Sequence, residues 1–338
     1  MLMRHVIVAT TAVLAAAWIA PTAGQSPQDP VALLRTYIRA SDADLLRLER
    51  GAVLTQTLES PDGREVTTFG AIRVNCTADV FAARVRNIEK FKASEYVIEI
   101  GHFQAKPVLE DLSALTLDPG DREAMRACRP GDCPLRLPAS AMDRFRTTIP
   151  WGTPSEAPAA AAAMRQFLVE EVQTYLAAGS TSLPDYADRA GTLPRATAFR
   201  ELLRPSSYHA EYQPDLFRGL DLFPSGSVQG DSFLYWSRER FGLKPVISVS
   251  HSVLQRRSDS VVFGSKQVFA SHYFESSLGM SLYIVVPGST HGYVTYLNRS
   301  RVDTLRGFLA PIARVVAARR ARSGLERMLT DVKGKLEK

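Results

Sequence analysis

The sequence predicts an α+β fold: an antiparallel sheet against one long C-terminal helix, with a mostly helical segment inserted between its early and late strands. Three observations carry that expectation. Five runs of strand length follow one another between Phe233 and Asn298, and short links between successive strands favour an antiparallel meander. An amphipathic helical pattern from Leu305 to Leu336 closes the chain. A strand–strand–helix–strand order occupies residues 53–102, well before the later strands.

The chain opens on an export pattern. Arg4 gives Met1–His5 a positive charge, and Val6–Ala20 is apolar or small except for Thr10 and Thr11. At ~1.5 Å per residue such a helix falls short of a ~30 Å hydrocarbon core. Pro21 ends the run, and Thr22-Ala23-Gly24 offers small residues for cleavage before Gln25. Residues 1–24 are therefore expected to be a cleaved signal peptide, and the remainder a periplasmic or secreted protein.

After the signal, Val31, Leu33, Leu34, Tyr37 and Ile38, then Leu45, Leu46 and Leu48, follow a helical period broken at Ser41-Asp-Ala-Asp44. Val53–Leu58 and Val66–Val74 read as strands joined by a turn at Pro61-Asp62-Gly63. Thr77 stands where an N-cap belongs, ahead of Val80, Phe81, Val85, Ile88 and Phe91 at helical spacing. Glu95–His102 alternates, placing Tyr96, Ile98, Ile100 and His102 on one face. Residues 30–106 thus form the first part of the domain.

Residues 107–230 differ, being rich in Pro, Ala and Leu, with helical patterns at 158–178 and 196–204. They are expected to be a helical insertion. Residues 231–338 complete the domain with strands at Phe233–Arg240, Val246–Arg256, Val261–Ala270, Leu278–Val286 and Gly292–Asn298, then the last helix, which Pro311 and Gly324 should kink or interrupt.

Composition narrows the function classes. A hydrophobic share of 45% is enough for a sizeable core. Between Arg299 and Lys338, eleven basic residues face four acidic ones, so the C-terminal helix suits either a solvated face or an anionic membrane surface. No nucleic-acid motif appears, and no Gly-x-Gly-x-x-Gly or phosphate-cradling loop, so neither a nucleic-acid partner nor a cofactor is expected. Cys128-Arg-Pro-Gly-Asp-Cys133 brackets a turn that brings two thiols together, and an exported protein would hold them as a disulfide. No His or Cys nearby completes a four-ligand metal site. Cys76 is left as a small buried residue.

The segment Phe69-Gly-Ala-Ile-Arg-Val-Asn-Cys-Thr-Ala-Asp-Val-Phe81, where a strand runs into a helix behind a polar cap, resembles the opening of the START-like, helix-grip superfamily. Arg86-Asn-Ile-Glu-Lys-Phe91 is similar to the close of that helix, and Tyr296–Asp303 running into Leu305–Leu336 to the family's last strand and gripping helix. The likeness spans about half the mature chain, in two blocks, and the insertion departs from it. It implies a curved sheet wrapped around the C-terminal helix and enclosing an apolar cavity. Such domains bind lipids, sterols, polyketides or other hydrophobic molecules, and a minority are cyclases or hydrolases.

Several residues are candidates for such a cavity. His102 shares a face with Ile98 and Ile100, and His251 with Ile247, Val249 and Val253. Each imidazole either orients a ligand or is a hydrogen-bonded core residue, and the sequence leaves both open. His272 and Tyr273 lie at an uncertain strand end and carry the same alternatives. Trp236 and Lys266 are further pocket candidates. Within Asn298-Arg-Ser-Arg-Val-Asp303, Arg299 and Arg301 either hold an anionic head group or pair with acidic neighbours, with Asp303 capping the last helix. Gly230-Asp-Ser232 echoes a lipolytic motif but lacks the late Asp-x-x-His that motif needs, so no catalytic residue is assigned. The favoured expectation is non-catalytic binding of a hydrophobic or lipid-like small molecule. A pocket-histidine enzyme using His251 or His272 is the second expectation, and a structural envelope protein with a filled core the third.

Overall fold

The structure is a computed structural model that describes residues 29–60, 62–191, 194–203, 214–226, 229–241, 244–303, 305 and 310–338. The proposed signal peptide and the stretch expected to open the last helix, including Phe308 and Leu309, lie outside the described residues.

Two short helices come first, α1 (Pro30–Ile38) and α2 (Asp42–Glu49). The expected break between them is a capping box, in which Ser41 and Asp44 satisfy each other's backbone N–H groups. Strands β1 (Leu54–Leu58) and β2 (Glu65–Val74) lead to α3 (Ala78–Arg86). Thr77 Oγ1 accepts from the Val80 N–H at 3.3 Å, the expected cap. The single helix expected over residues 80–91 is two, because Asn87 ends α3 and accepts from Lys90 N–H to start α4 (Ile88–Lys92). An asparagine side chain competes for backbone donors and so makes a cap where the apolar period alone reads as continuous. Strand β3 (Val97–His102) follows.

The insertion holds α5 (Pro119–Ala127), α6 (Ala139–Thr148), α7 (Glu156–Ala178), α8 (Arg195–Leu203) and α9 (Pro214–Leu222). Then come β4 (Asp231–Arg240), β5 (Pro245–Arg256), β6 (Ser260–Ala270), β7 (Phe274–Val285), β8 (Gly292–Val302) and α10 (Ala310–Leu336). Helix α10 is unbroken at Gly324, and Pro311 sits in its first turn, where no intrahelical N–H bond is lost. The expected interruption is therefore absent.

The eight strands form one antiparallel sheet in the order β1-β2-β8-β7-β6-β5-β4-β3. Strands β2 and β8, at opposite ends of the sequence, pair along their length, and β3 joins β4 across the whole insertion. Alternation sorts side chains onto two faces. One face carries Leu234, Trp236, Ile247, Val249 and Phe269 against the insertion, continuing into Phe69, Val253, Leu278, Met280 and Leu282 against α1, α8 and α9. Helix α7 buries Met164, Phe167, Leu168, Val172 and Tyr175 there. Each such side chain contributes roughly 1.5–3 kcal/mol, so the helix is held by its packing more than by its propensity. The opposite face carries Ile72, Val74, Tyr235, Leu254, Val261, Phe263, Tyr283 and Val294 against α3 and the Leu325–Leu329–Val332–Leu336 stripe of α10.

Buried charge fastens the insertion to the sheet. Arg195 pairs with Glu171 at 2.6 Å and donates to the Val268 carbonyl, while Arg136 and Arg189 both reach Asp303 at 3.1 Å. Burial holds the Asp303 carboxyl above its ordinary range even though both guanidinium groups pull it down. Cys128 and Cys133 form a disulfide beside this contact, within the first insertion core.

Candidate functional site

The face beneath α10 is only partly apolar. Helix α10 lies along β1 and β2, and α3 lies against β5, β6 and β7. Side chains toward the far ends of the strands pass beyond both helices. There the register aligns small polar groups in rows: Ser252, Ser265, Gly279, Asn298 and Thr68 form one, continuing from Phe233 of β4. Next to it run Tyr235, Ser250 and Gln267, with Ser277 opposite Ser300, and beyond these Ser237 opposite Ser248. Ser248, Ser250, Ser265, Gln267, Ser277, Tyr296 and Asn298 are all half-buried.

These groups bond to one another across strands. Ser252 Oγ donates to Ser265 Oγ at 3.0 Å, Ser277 and Ser300 hydroxyls lie 2.8 Å apart, and Ser300 donates to Asn298 Oδ1 at 2.8 Å. At one side Lys92 Nζ donates to Glu239 Oε1 at 2.7 Å and lies 5.3 Å from the Tyr235 ring centre. Burial opposes the Lys92 charge, but Glu239, with Tyr235 and Tyr296 adding to it, raises the ammonium above the ordinary lysine range. The Tyr296 hydroxyl is also raised, first by burial. Gly279 leaves room here, since a Cβ would sit 3.2 Å from the Tyr296 hydroxyl. The result is a trough with a hydroxyl-rich floor, an aromatic apolar end at Phe233 and Phe263, and an ion pair at its rim.

The residues expected to share a cavity are split between the two faces. His102 alone borders the trough; its Nδ1 lies 2.7 Å from Glu89 Oε1 and its ring 5.7 Å from Phe233. Trp236 is buried on the opposite face and donates from Nε1 to the Asp111 carbonyl at 2.7 Å. His272 is buried with both ring nitrogens 3.0 Å from acceptors, Asp121 Oδ1 and the Pro134 carbonyl, where it holds α5 to the sheet. Tyr273 adopts a left-handed backbone, φ 61°, and its hydroxyl accepts from Lys244 N–H at 2.9 Å. Arg299 pairs with Glu65, and Arg301 with Glu275 at 2.9 Å, Asp62 at 3.1 Å and Glu201. Asp303 is taken up by Arg136 and Arg189.

His251 and Lys266 do come together, also on the insertion face. His251 is fully buried, with Nδ1 2.7 Å from the Tyr175 hydroxyl and Nε2 2.7 Å from Ser232 Oγ. Burial, and then the nearby Lys266, lowers its pKa to about 3. Lys266 donates to the Leu220 carbonyl at 2.7 Å and lies 4.2 Å from the Phe199 ring centre. Burial lowers its pKa to about 7, with Asp221 opposing and Arg200 adding.

The trough residues were not among the sequence candidates, yet a signal was present. Ser248-x-Ser250-x-Ser252, Ser265-x-Gln267, Ser277-x-Gly279-x-Ser281 and Tyr296-x-Asn298-x-Ser300 alternate at the strand period, marking a polar face on strands that read as core. Lys92 and Glu239 gave no such signal, because their meeting depends on the β3–β4 pairing.

No known family pattern matches the chain, and neither does any curated protein. Among solved structures, TTHA0849 from Thermus thermophilus is similar over 43% of this chain and 90% of its own, with 11% identity and a TM-score of 0.26. The di-domain ARO/CYC BexL from the BE-7585A biosynthetic pathway is similar over 84% of this chain and 78% of its own, with 12% identity and a TM-score of 0.24. Likeness at this level carries no functional argument. The chain itself is an eight-stranded antiparallel sheet packed on a C-terminal helix, with a helical insertion on the other face.

Proposed function

We propose that this chain is an exported START-like protein that binds a small amphipathic molecule in the trough beneath α10. The observation that carries the reading is the set of half-buried hydroxyl and amide groups on β5–β8 that neither α3 nor α10 covers. A face closed by packing would be apolar there, because a buried polar group needs a partner. Ser and Tyr hydroxyls both donate and accept, so they suit an oxygen-bearing ligand of mixed polarity. The apolar part of that ligand would lie against Phe233 and Phe263. Relative to a purely lipidic ligand, this favours one with several oxygens.

Two further features fit the reading. Ile312, Val315 and Val316 are 67%, 58% and 45% exposed at i, i+3 and i+4 on α10, with Arg319 and Arg320 next on the same side. Such a stripe suits peripheral contact with an anionic lipid surface. The bridged Cys128–Cys133 pair suits an oxidising compartment. Organic extraction of protein purified without detergent, followed by mass spectrometry, tests the binding reading. A stoichiometric small molecule is expected; repeated recovery of empty protein that also takes up no amphipathic dye counts against it.

A further inference from the structure

Ser232 and His251 form a geometry that the trough does not use, on the opposite face of the sheet. Ser232 is exposed near the start of β4, whereas the imidazole it touches is buried. The ring is fixed by the Tyr175 hydroxyl on Nδ1 and by Phe223, whose ring centre lies 4.6 Å away. When Nδ1–H donates to Tyr175, the Nε2 lone pair is left for the Ser232 hydroxyl at 2.7 Å. That is the arrangement in which an imidazole takes a proton from an attacking serine.

The surroundings of Ser232 also suit an acyl group. Strand β3 pairs with β4 only from Tyr235 onward, and Phe103 N–H donates to the Leu234 carbonyl. By strand alternation the Ser232 backbone faces the same edge as that of Leu234, past the end of β3, so its N–H points where an acyl oxygen would lie. Gly230, one alternation earlier, borders a cleft of about 670 Å³ between α9 and the ends of β4 and β5. Arg218, Arg256 and Asp215 line that cleft, giving it a cationic excess among these three. Sequence alone left Gly230-Asp-Ser232 without a base; the fold supplies one from the next strand.

We propose that Ser232 is a nucleophile that accepts acyl groups from small esters bearing a carboxylate or phosphate. Ser232 Oγ adds to the ester carbonyl as its proton passes to His251 Nε2. The C–O bond to the leaving alcohol then breaks, and the alcohol takes that proton. Water repeats the sequence on the acyl-serine, releasing the carboxylic acid and restoring the serine. The buried ring with Lys266 nearby accepts a proton weakly, which restricts the serine to esters of acidic alcohols and makes deacylation the slow step.

The test uses the full chain with p-nitrophenyl acetate and with the mono-p-nitrophenyl ester of succinate, reading acylation by intact mass and its site by peptide mapping. Modification at Ser232 is expected, faster with the anionic ester and absent in Ser232→Ala. His251→Gln, checked for folding by circular dichroism, should slow it by ~10²-fold. Because the ring stays neutral throughout, the wild-type rate should also be flat between about pH 5 and 8, a readout that survives if His251→Gln does not fold. Modification elsewhere, an equal rate in a folded His251→Gln, or a rate climbing in proportion to hydroxide overturns the proposal.

Discussion

Lys266 has one hydrogen-bond acceptor, the Leu220 carbonyl, and the rings of Phe199 and Tyr175 around its ammonium. Its folded pKa of about 7 lies well below the ordinary lysine value of 10.5. Between those values the unfolded chain binds the proton and the folded chain releases it, so stability rises with pH through this window. Lys266→Met removes the titration without leaving a large cavity. Melting temperatures from pH 7 to 10 should therefore rise more steeply for the wild type than for the variant, and parallel curves would contradict the account. Trp236 belongs to the same scale: Trp236→Ala should cost about 3–5 kcal/mol in urea unfolding, with loss of the indole bond to Asp111. Both residues were visible as candidates in the sequence. Their roles were not, since Leu220, Phe199 and Asp111 come from segments whose docking no local pattern reveals.

At the scale of elements, hydrophobic period and turn residues made most of the strands legible. The expected late strands lengthened because backbone pairing continues past the last apolar residue, as at Arg299–Val302 of β8. Helices α5, α6 and α9 were missed, being short and rich in Pro, Arg or Asp, so their apolar faces are too brief to show a period. Helix α10 is seated on Gly70, where an added Cβ would collide with Leu329 and approach Leu325 to 3.2 Å. Gly70→Val should destabilise the protein by about 1–3 kcal/mol and raise hydrogen exchange along α10 more than along α7. The exposed stripe of α10 gives a second prediction. Phosphatidylglycerol vesicles should pellet the wild type at low salt and release it at high salt. An Ile312→Ser/Val315→Ser variant should remain in solution, and equal pelleting of the two would rule the stripe out as the contact.

Across the whole molecule, one sheet serves two purposes. Its insertion face is closed by apolar clusters and buried ion pairs, while the face beneath α10 changes from apolar packing to uncovered hydroxyls. The order of elements was readable because each is a local pattern. The division of the candidate histidines between opposite faces was not, since His102 and His251 both sit among apolar neighbours and only strand pairing decides which layer each meets. The most direct test of the trough is a fluorescence titration with 8-anilinonaphthalene-1-sulfonate, comparing the wild type with a folded Ser265→Leu/Ser277→Leu variant that fills the floor. Saturable one-to-one binding by the wild type, lost in the variant, is the expected result. Equal binding by both, or none by the wild type, would contradict a ligand site beneath α10.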